Sequence, residues 1–413
     1  MLTRVIDSIC RAEGARVLAG LIRRYGDFEI AEDALQDAYA KAIELWPAQG
    51  LPATPAAWLT TVARRRALDL LRRRRSGPLY TDETPDVAAP SIEDTDAHPV
   101  DSSGVEDDRL RLVFTCCHPA LAQPAQIALA LRTLCGLSTR EIARAFLEPE
   151  ATTAQRLVRV QRKIRDARIP YEVPGRDILP ERLQAVLGVL YLVFNEGYSA
   201  TDTPGLLRPD LCAEAIRLAR LMVELMPQET EARGLLALML LQDSRRDTRI
   251  GADGAIVPLE AQDRTRWNRD AITEGLAQLD TALAIRQRGP YQLQAAIAAL
   301  HARATHAENT DWPQIAALYV GLMREQPSAV VELNAAVAHA MAESFESGLA
   351  WIDQLTEREA LAGYHLLPAA KADLLRRLGR NKEACEAYRA ALALVRNPAE
   401  RKYLEQRLVE CGG

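Results

Sequence analysis

The chain has 413 residues, 48% of them hydrophobic and 26% charged, with a formal net charge of -5. That length exceeds a single compact core and predicts two or three domains of soluble globular composition. No apolar run approaches the roughly 18 residues of a membrane span, the net acidity argues against an indiscriminate nucleic-acid coat, and no phosphate-binding glycine loop, Ser/His/Asp motif or paired metal-ligand motif points to an enzyme.

Residues 26–46 place Ile30, Ala34, Leu35, Ala38 and Ala42 on one helical face and leave Glu32, Asp33, Gln36 and Asp37 outside it. Three prolines and a glycine in residues 47–55 are expected to break that helix at Pro47. Another helix is predicted from about Ala56, with Trp58, Leu59, Val62, Ala63, Ala67, Leu70 and Leu71 on its apolar side. Its remaining faces carry Arg64, Arg65, Arg66, Arg72, Arg73, Arg74 and Arg75. An unstacked base needs an aromatic platform or pocket beside cations for its backbone, and this order of parts supplies both. Trp58 fits two roles, base platform or core residue, because aromatic side chains at helical spacing usually pack.

Residues 76–108 contain no lysine or arginine and hold ten acidic residues among prolines, serines and threonines. This stretch reads as an acidic flexible tether, either a plain solvated linker or a segment lying in a cationic channel. Beyond it, Cys116, Cys117 and His118 stand together. Adjacent thiols point in different directions and no second ligand pair follows at zinc spacing, so neither a metal nor a cofactor is expected. The seven cysteines, odd in number and irregularly spaced, suit a reducing cytoplasm, as does an amino terminus without the order of a secretory signal.

Ser138 is the expected N-cap of a helix, with Glu141 completing a capping box and Leu137 placed to pack on Ile142. Leu147, Glu148 and Pro149 interrupt the pattern, and Pro149 suits the first position of the next helix. In that helix Leu157, Val160 and Ile164 share one face, while Thr152, Gln155, Arg156, Arg159 and Lys163 occupy another. Two readings fit the pair: an amphipathic helical hairpin with a solvated basic side, or a helix-turn-helix that reads DNA.

From Pro180 the chain becomes rich in alanine and leucine, and the apolar run at residues 183–194 is short enough to be a buried helix. Asn195 and Gly197 suit a helix C-cap. Asp253-Gly254 predicts a tight hairpin turn and a small β insertion. Gly379, Ala384, Tyr388 and Ala391 have offsets like those of the second helix of a tetratricopeptide repeat, with weaker echoes at residues 274–285 and 347–357.

The three N-terminal signals, in this order, resemble an extracytoplasmic-function (ECF) sigma factor of bacterial RNA polymerase. Residues 31–42 resemble the helix of sigma region 2, residues 54–75 the helix after it, and residues 137–146 with 152–165 the paired helices of region 4. The resemblance implies an all-α chain with sigma region 2 at 1–75, an acidic linker at 76–108, region 4 at 109–168, a short linker at 169–180 and a helical-repeat extension at 181–413. It implies binding to core RNA polymerase through Asp33, Gln36 and Asp37. It further implies duplex reading of the minus-35 element through Thr152, Gln155 and Arg156, with Arg159, Arg162 and Lys163 steadying the backbone. A flipped base of the single-stranded minus-10 element would be captured by residues 49–55 with Trp58, and Arg64, Arg65, Arg66, Arg72, Arg73, Arg74 and Arg75 of the helix that carries Trp58 would hold phosphates. Leu147, Glu148 and Ala154 depart from the usual pattern, so promoter sequence does not carry over. The long extension resembles one subgroup of the family, in which Asn195, Glu196, Tyr198, Asp263, Arg264 and Trp267 are candidates for a regulatory contact. Two other readings stand beside this one: a free helix-turn-helix regulator that never joins polymerase, and a repeat-type adaptor.

Overall fold

The computed structural model describes residues 2–76, 102–146, 148–175, 177–198, 209–359 and 361–412. The described residues are helical throughout, without a β-strand, and form two compact units divided between Val189 and Leu190.

The first unit opens with α1 (Leu2–Tyr25), α2 (Phe28–Gln49) and α3 (Pro55–Ser76). Gly26, at φ 66°, ends α1 in the left-handed conformation that glycine adopts without a Cβ clash. Asp27 then caps α2, its carboxylate accepting from the Ile30 amide at 3.0 Å. The predicted face is the core face: Ile30, Ala34, Leu35, Ala38 and Ala42 are all buried, joined by Phe28 and Trp46. The helix does not break at Pro47. It runs on to Gln49 and stops at Gly50, φ 85°, whose amide still reaches the Trp46 carbonyl at 3.0 Å.

Helix α4 (Ser102–Cys116) takes up the C-terminal end of the stretch expected to be a linker; residues 77–101, with most of its acids, lie outside the described residues. Next come α5 (Gln123–Thr133), α6 (Thr139–Ala145) and α7 (Glu150–Asp166). The capping box forms as predicted: the Glu141 amide donates to Ser138 Oγ at 3.2 Å and the Ser138 amide donates to Glu141 Oε2 at 2.8 Å. Leu137 and Ile142 are both buried. Pro149 stands one position earlier than expected, as the cap before α7. Cys116 and Cys117 are core residues, and burial pushes the Cys116 thiol up to about 12.

Helix α8 (Leu179–Tyr198) contains the division between the units, so the expected boundary at 180 falls at its first turn. Asn195 and Gly197 lie inside this helix rather than at a left-handed C-cap, because α8 continues to Tyr198.

The second unit continues through α9 (Pro209–Leu225), α10 (Thr230–Asp243), α11 (Arg269–Ala284), α12 (Pro290–Arg303), α13 (Trp312–Glu325) and α14 (Ala329–Ala342). It ends with α15 (Phe345–Glu357), α16 (Leu366–Arg377), α17 (Asn381–Leu394) and α18 (Pro398–Glu410). Repetition is visible in what each second helix buries. Gly275, Leu279 and Ala282 in α11, Gly348, Ile352 and Leu355 in α15, and Ala384, Tyr388 and Ala391 in α17 share one spacing and are all buried. The first position must be small because the preceding helix crosses there. A Cβ on Gly275 would stand 3.3 Å from the Ala237 carbonyl oxygen, and one on Gly348 would stand 2.3 Å from Ala340 Cβ. Gly379 plays another part, turning the chain between α16 and α17 at φ 72°.

The Asp253-Gly254 turn is present, with Gly254 at φ 82° and the Asp253 carboxylate accepting from the Ala255 amide at 3.1 Å. The expected β insertion shrinks to one antiparallel bridge, Ile250 with Ile256. The competing bonds explain this: the Ile256 amide donates to the Ala399 carbonyl of α18, and Pro258 has no amide to continue a ladder.

Candidate polymerase and DNA interface

Asp33, Gln36 and Asp37 follow one another on a single face of α2, at spacings that place them as neighbours on a helix surface. Asp33 and Gln36 are exposed; Asp37 is half-buried and ion-pairs with Arg66 of α3. Partial burial raises the Asp33 pKa, and the neighbouring carboxylates of Glu29, Glu32 and Asp37 raise it further, so α2 presents a crowded negative surface.

The arginines of α3 divide into two groups. Arg66 and Arg74 turn toward α2, Arg74 reaching Asp27 at 2.6 Å and Glu29 at 2.9 Å. Arg64, Arg65, Arg72 and Arg73 are exposed, while the side chain of Arg75 lies outside the described residues. Trp58 is half-buried and meets the fully buried Trp46 edge to face, ring centroids 5.2 Å apart. Its two expected roles are therefore compatible: one edge is seated on the core while part of the ring stays accessible beside the 50–54 loop.

In α7, Leu157, Val160 and Ile164 are buried together with Thr153. Thr152, Gln155, Arg159, Arg162 and Lys163 are exposed. Arg156 is placed differently. Both its Nη atoms bond the Glu148 carboxylate at 2.6 Å, and its guanidinium lies 5.2 Å from the centre of the Phe146 ring. Glu148, the unusual residue of the turn, thus fixes the start of the recognition helix through Arg156 and through the Thr153 hydroxyl, which donates to it at 2.5 Å. The pairing is bidentate, so both terminal nitrogens of Arg156 are occupied by Glu148.

One arrangement went unread in the sequence. Helices α5 and α7 pack on α2 itself: Arg132 Nε donates to Glu32 Oε1 at 2.8 Å, the Gln161 amide donates to the other Glu32 oxygen, and Arg165 reaches Glu29 at 2.9 Å. Glu32 was expected on the solvent side and is instead buried, because α5 and α7 cover it. Tyr171 closes the same junction, its hydroxyl within hydrogen-bond reach of the Ala19 carbonyl at 3.1 Å and the Asp108 carbonyl at 2.9 Å. Periodicity could not reveal this, since a glutamate one position from an exposed aspartate looks solvated until another domain covers it.

The candidate regulatory residues of the extension are mostly engaged in the fold. Asn195 hydrogen-bonds the Tyr191 hydroxyl. Glu196 is half-buried, one turn from the end of α8. Asp263 caps a single 3-10 turn, accepting from the Thr265 amide at 3.0 Å. Trp267 is buried and donates from Nε1 to Thr248 Oγ1 at 3.0 Å. Arg264 is buried and donates to the carbonyls of His301 at 2.7 Å and Ala304 at 2.8 Å, which close the C-terminal end of α12. Tyr198 is buried beneath Phe194, with the rings stacked at 5.3 Å.

A three-helix region with a cationic third helix, joined to a capped helix-turn-helix, has the organisation of a transcription initiation factor. Residues 10–77 match sigma-70 region 2, and residues 182–283 match DUF6596, a family of unknown function. An uncharacterised protein of Rhizobium meliloti (strain 1021) is 46% identical over 406 residues, which cover 98% of this chain and 95% of that protein. A probable ECF RNA polymerase sigma factor, SigI, of Mycobacterium tuberculosis is 26% identical over 170 residues, covering 41% of this chain and 57% of that protein. The chain belongs to the ECF sigma factors, in the form that carries a long helical C-terminal extension. Its family is one of transcription initiation factors that bind core RNA polymerase and promoter DNA. No helix among the described residues is long and apolar enough to cross a membrane.

Proposed function

We infer that this sigma factor docks on core polymerase through Asp33 and Gln36, supported by Asp37, and reads promoter DNA with two separate surfaces in the cytoplasm. The observation that carries the reading is the division of α7: three apolar residues face the core while Gln155, Arg159, Arg162 and Lys163 face outward together. Gln155 and Thr152 lie near the N-terminal end of α7, the end that enters the major groove in helix-turn-helix proteins, and the cations behind them suit phosphates. On the minus-10 side, the 50–54 loop beside Trp58 offers the pocket for a single-stranded base, with Arg64, Arg65, Arg72 and Arg73 on the exposed side of α3 for its backbone.

The fused extension tunes the activity of the sigma regions. The packing of region 4 onto Glu29 and Glu32 supports a resting form in which the two DNA-reading surfaces are held together. Release of those contacts would let each region reach its own promoter element.

The test is co-purification of core RNA polymerase with the full chain and with an Asp33→Lys, Gln36→Lys double variant. Asp37→Lys is avoided, because it would set two cations against each other at Arg66. Binding by the wild type that the variant loses supports the α2 surface; equal binding by both removes it. Absence of binding by either, together with tight binding of duplex DNA by the protein alone, would favour a free helix-turn-helix regulator.

A further inference from the structure

Among the described residues, Arg245, Arg249 and Arg264 of the second unit make no ion pair with a carboxylate. Arg249 is half-buried, its guanidinium 3.7 Å from the centre of the Tyr198 ring, and its Nη1 donates to the Tyr198 carbonyl at 2.5 Å. Arg245, one helical turn earlier, lies 5.9 Å from the centre of the same ring, and its guanidinium makes no hydrogen bond or ion pair among the described residues. Arg264 spends its terminal nitrogens on two carbonyls and the Thr310 hydroxyl, leaving Nε without a partner. Arg245 links the other two: burial lowers the Arg249 and Arg264 pKa values, and the Arg245 charge lowers both further. His301 feels the same field, held down to about 4 by burial and then by Arg245 and Arg264.

The nearby carboxylates do not neutralise this group. Asp243 is committed to Arg246, and Glu400, 3.0 Å from His365 Nε2, reaches Arg249 only through its field. Glu308 acts on Arg264 only at a distance. Clustering guanidinium groups away from water without a counter-charge is unfavourable, and native proteins normally answer it with a paired anion. Two polar atoms beside the cluster also lack partners. Tyr198 is more than nine-tenths buried and its hydroxyl has no hydrogen-bond partner among the described residues, nor has His301 Nδ1. Buried hydroxyls are rarely left so.

We propose that Arg245 and Arg249, with the Tyr198 hydroxyl, form a binding site in the extension for a phosphoryl-type oxyanion carried by a small molecule. Two guanidinium forks and a hydroxyl, drawn from two elements of the chain, donate from several directions, which suits a tetrahedral group better than a planar one. Arg264 adds to the positive potential around it without needing to touch the ligand. The site is built from residues of the second unit alone, so the proposal holds or fails independently of the reading given for the polymerase and DNA surfaces.

The experiment is thermal unfolding of the full chain against inorganic phosphate at constant ionic strength, with sodium chloride as the matched control and acetate as the planar anion. Phosphate should raise the transition saturably, as expected for a ligand bound by the folded state alone, and acetate should do so more weakly. Arg245→Gln, at a half-exposed position outside the core, should weaken the apparent affinity about tenfold or more, the loss of a charge-assisted bond. Tyr198→Phe, which removes only the hydroxyl, should weaken it as well, and unchanged helical circular dichroism shows that either variant is folded. A shift reproduced by chloride, or one equally large in both variants, would overturn the proposal.

Discussion

Replacing Glu32 by glutamine tests the packing of α5 and α7 on α2 at its most buried point. The carboxylate accepts from Arg132 at 2.8 Å and from Gln161, with side-chain exposures of 11% for Glu32 and 19% for Arg132. A hydrogen bond to a charged group contributes about 1.5–3 kcal/mol, and breaking a fully buried ion pair costs about 3–5 kcal/mol. Glutamine keeps the shape and one acceptor oxygen, and Arg132 retains its bond to the Leu137 carbonyl at 3.3 Å. The expected loss is therefore near the lower end, about 2 kcal/mol, or roughly a 30-fold increase in local opening. A single melting temperature is a poor reporter for a chain of two units. Hydrogen exchange resolves the effect: amides of α5 and α7 should exchange faster in Glu32→Gln, while those of α11 and α12 in the second unit should not change. The reasoning is refuted if exchange in α5 and α7 is unaltered, or if Glu32→Gln and Arg132→Met add within about 0.5 kcal/mol, as independent sites do.

Four other outcomes follow from the geometry. Glu148→Ala should release Arg156 and lower the stability of the helix-turn-helix by about 1–3 kcal/mol, the loss of charged hydrogen bonds; exchange protection at the start of α7 would show it. Arg159→Ala and Lys163→Ala should each flatten the salt dependence of duplex binding by about one unit of slope without changing sequence preference, if both contact phosphates. Gly348→Ala should destabilise the second unit by about 1–3 kcal/mol through overpacking, since the added methyl would meet Ala340 Cβ at 2.3 Å and the Ala336 carbonyl oxygen at 2.9 Å; thermal unfolding reports it. His301 is held below its ordinary value of 6.5, at about 4, so the unfolded chain binds its proton first as pH falls. Its contribution to stability is complete above pH 6.5 and lost progressively down to about pH 4, up to roughly 3 kcal/mol. Denaturant titrations of the wild type and of His301→Gln across that range should show the slope diminished in the variant.

What the chain alone determined is everything that local spacing can encode. The buried stripes of α2 and α7, the Ser138 and Glu141 capping box, and the sigma region 2 pattern were all legible, because a helix faces its core every three to four residues and its ends need particular partners. The repeat was legible only at α17, where Gly379, Tyr388 and two alanines coincide; the echoes in α11 and α15 became firm once Gly275 and Gly348 were seen beneath crossing helices. Tertiary structure decided the rest. Glu32 changed from a solvent residue to a buried acceptor because another region covers it, and Arg156 is held by Glu148, eight positions before it. The Asp253-Gly254 turn lost its ladder to a carbonyl of α18. The arginines around Tyr198 gathered from segments of unrelated pattern. In each case the deciding term was a charge or hydrogen bond satisfied, or left unsatisfied, across a distance in sequence that periodicity does not register.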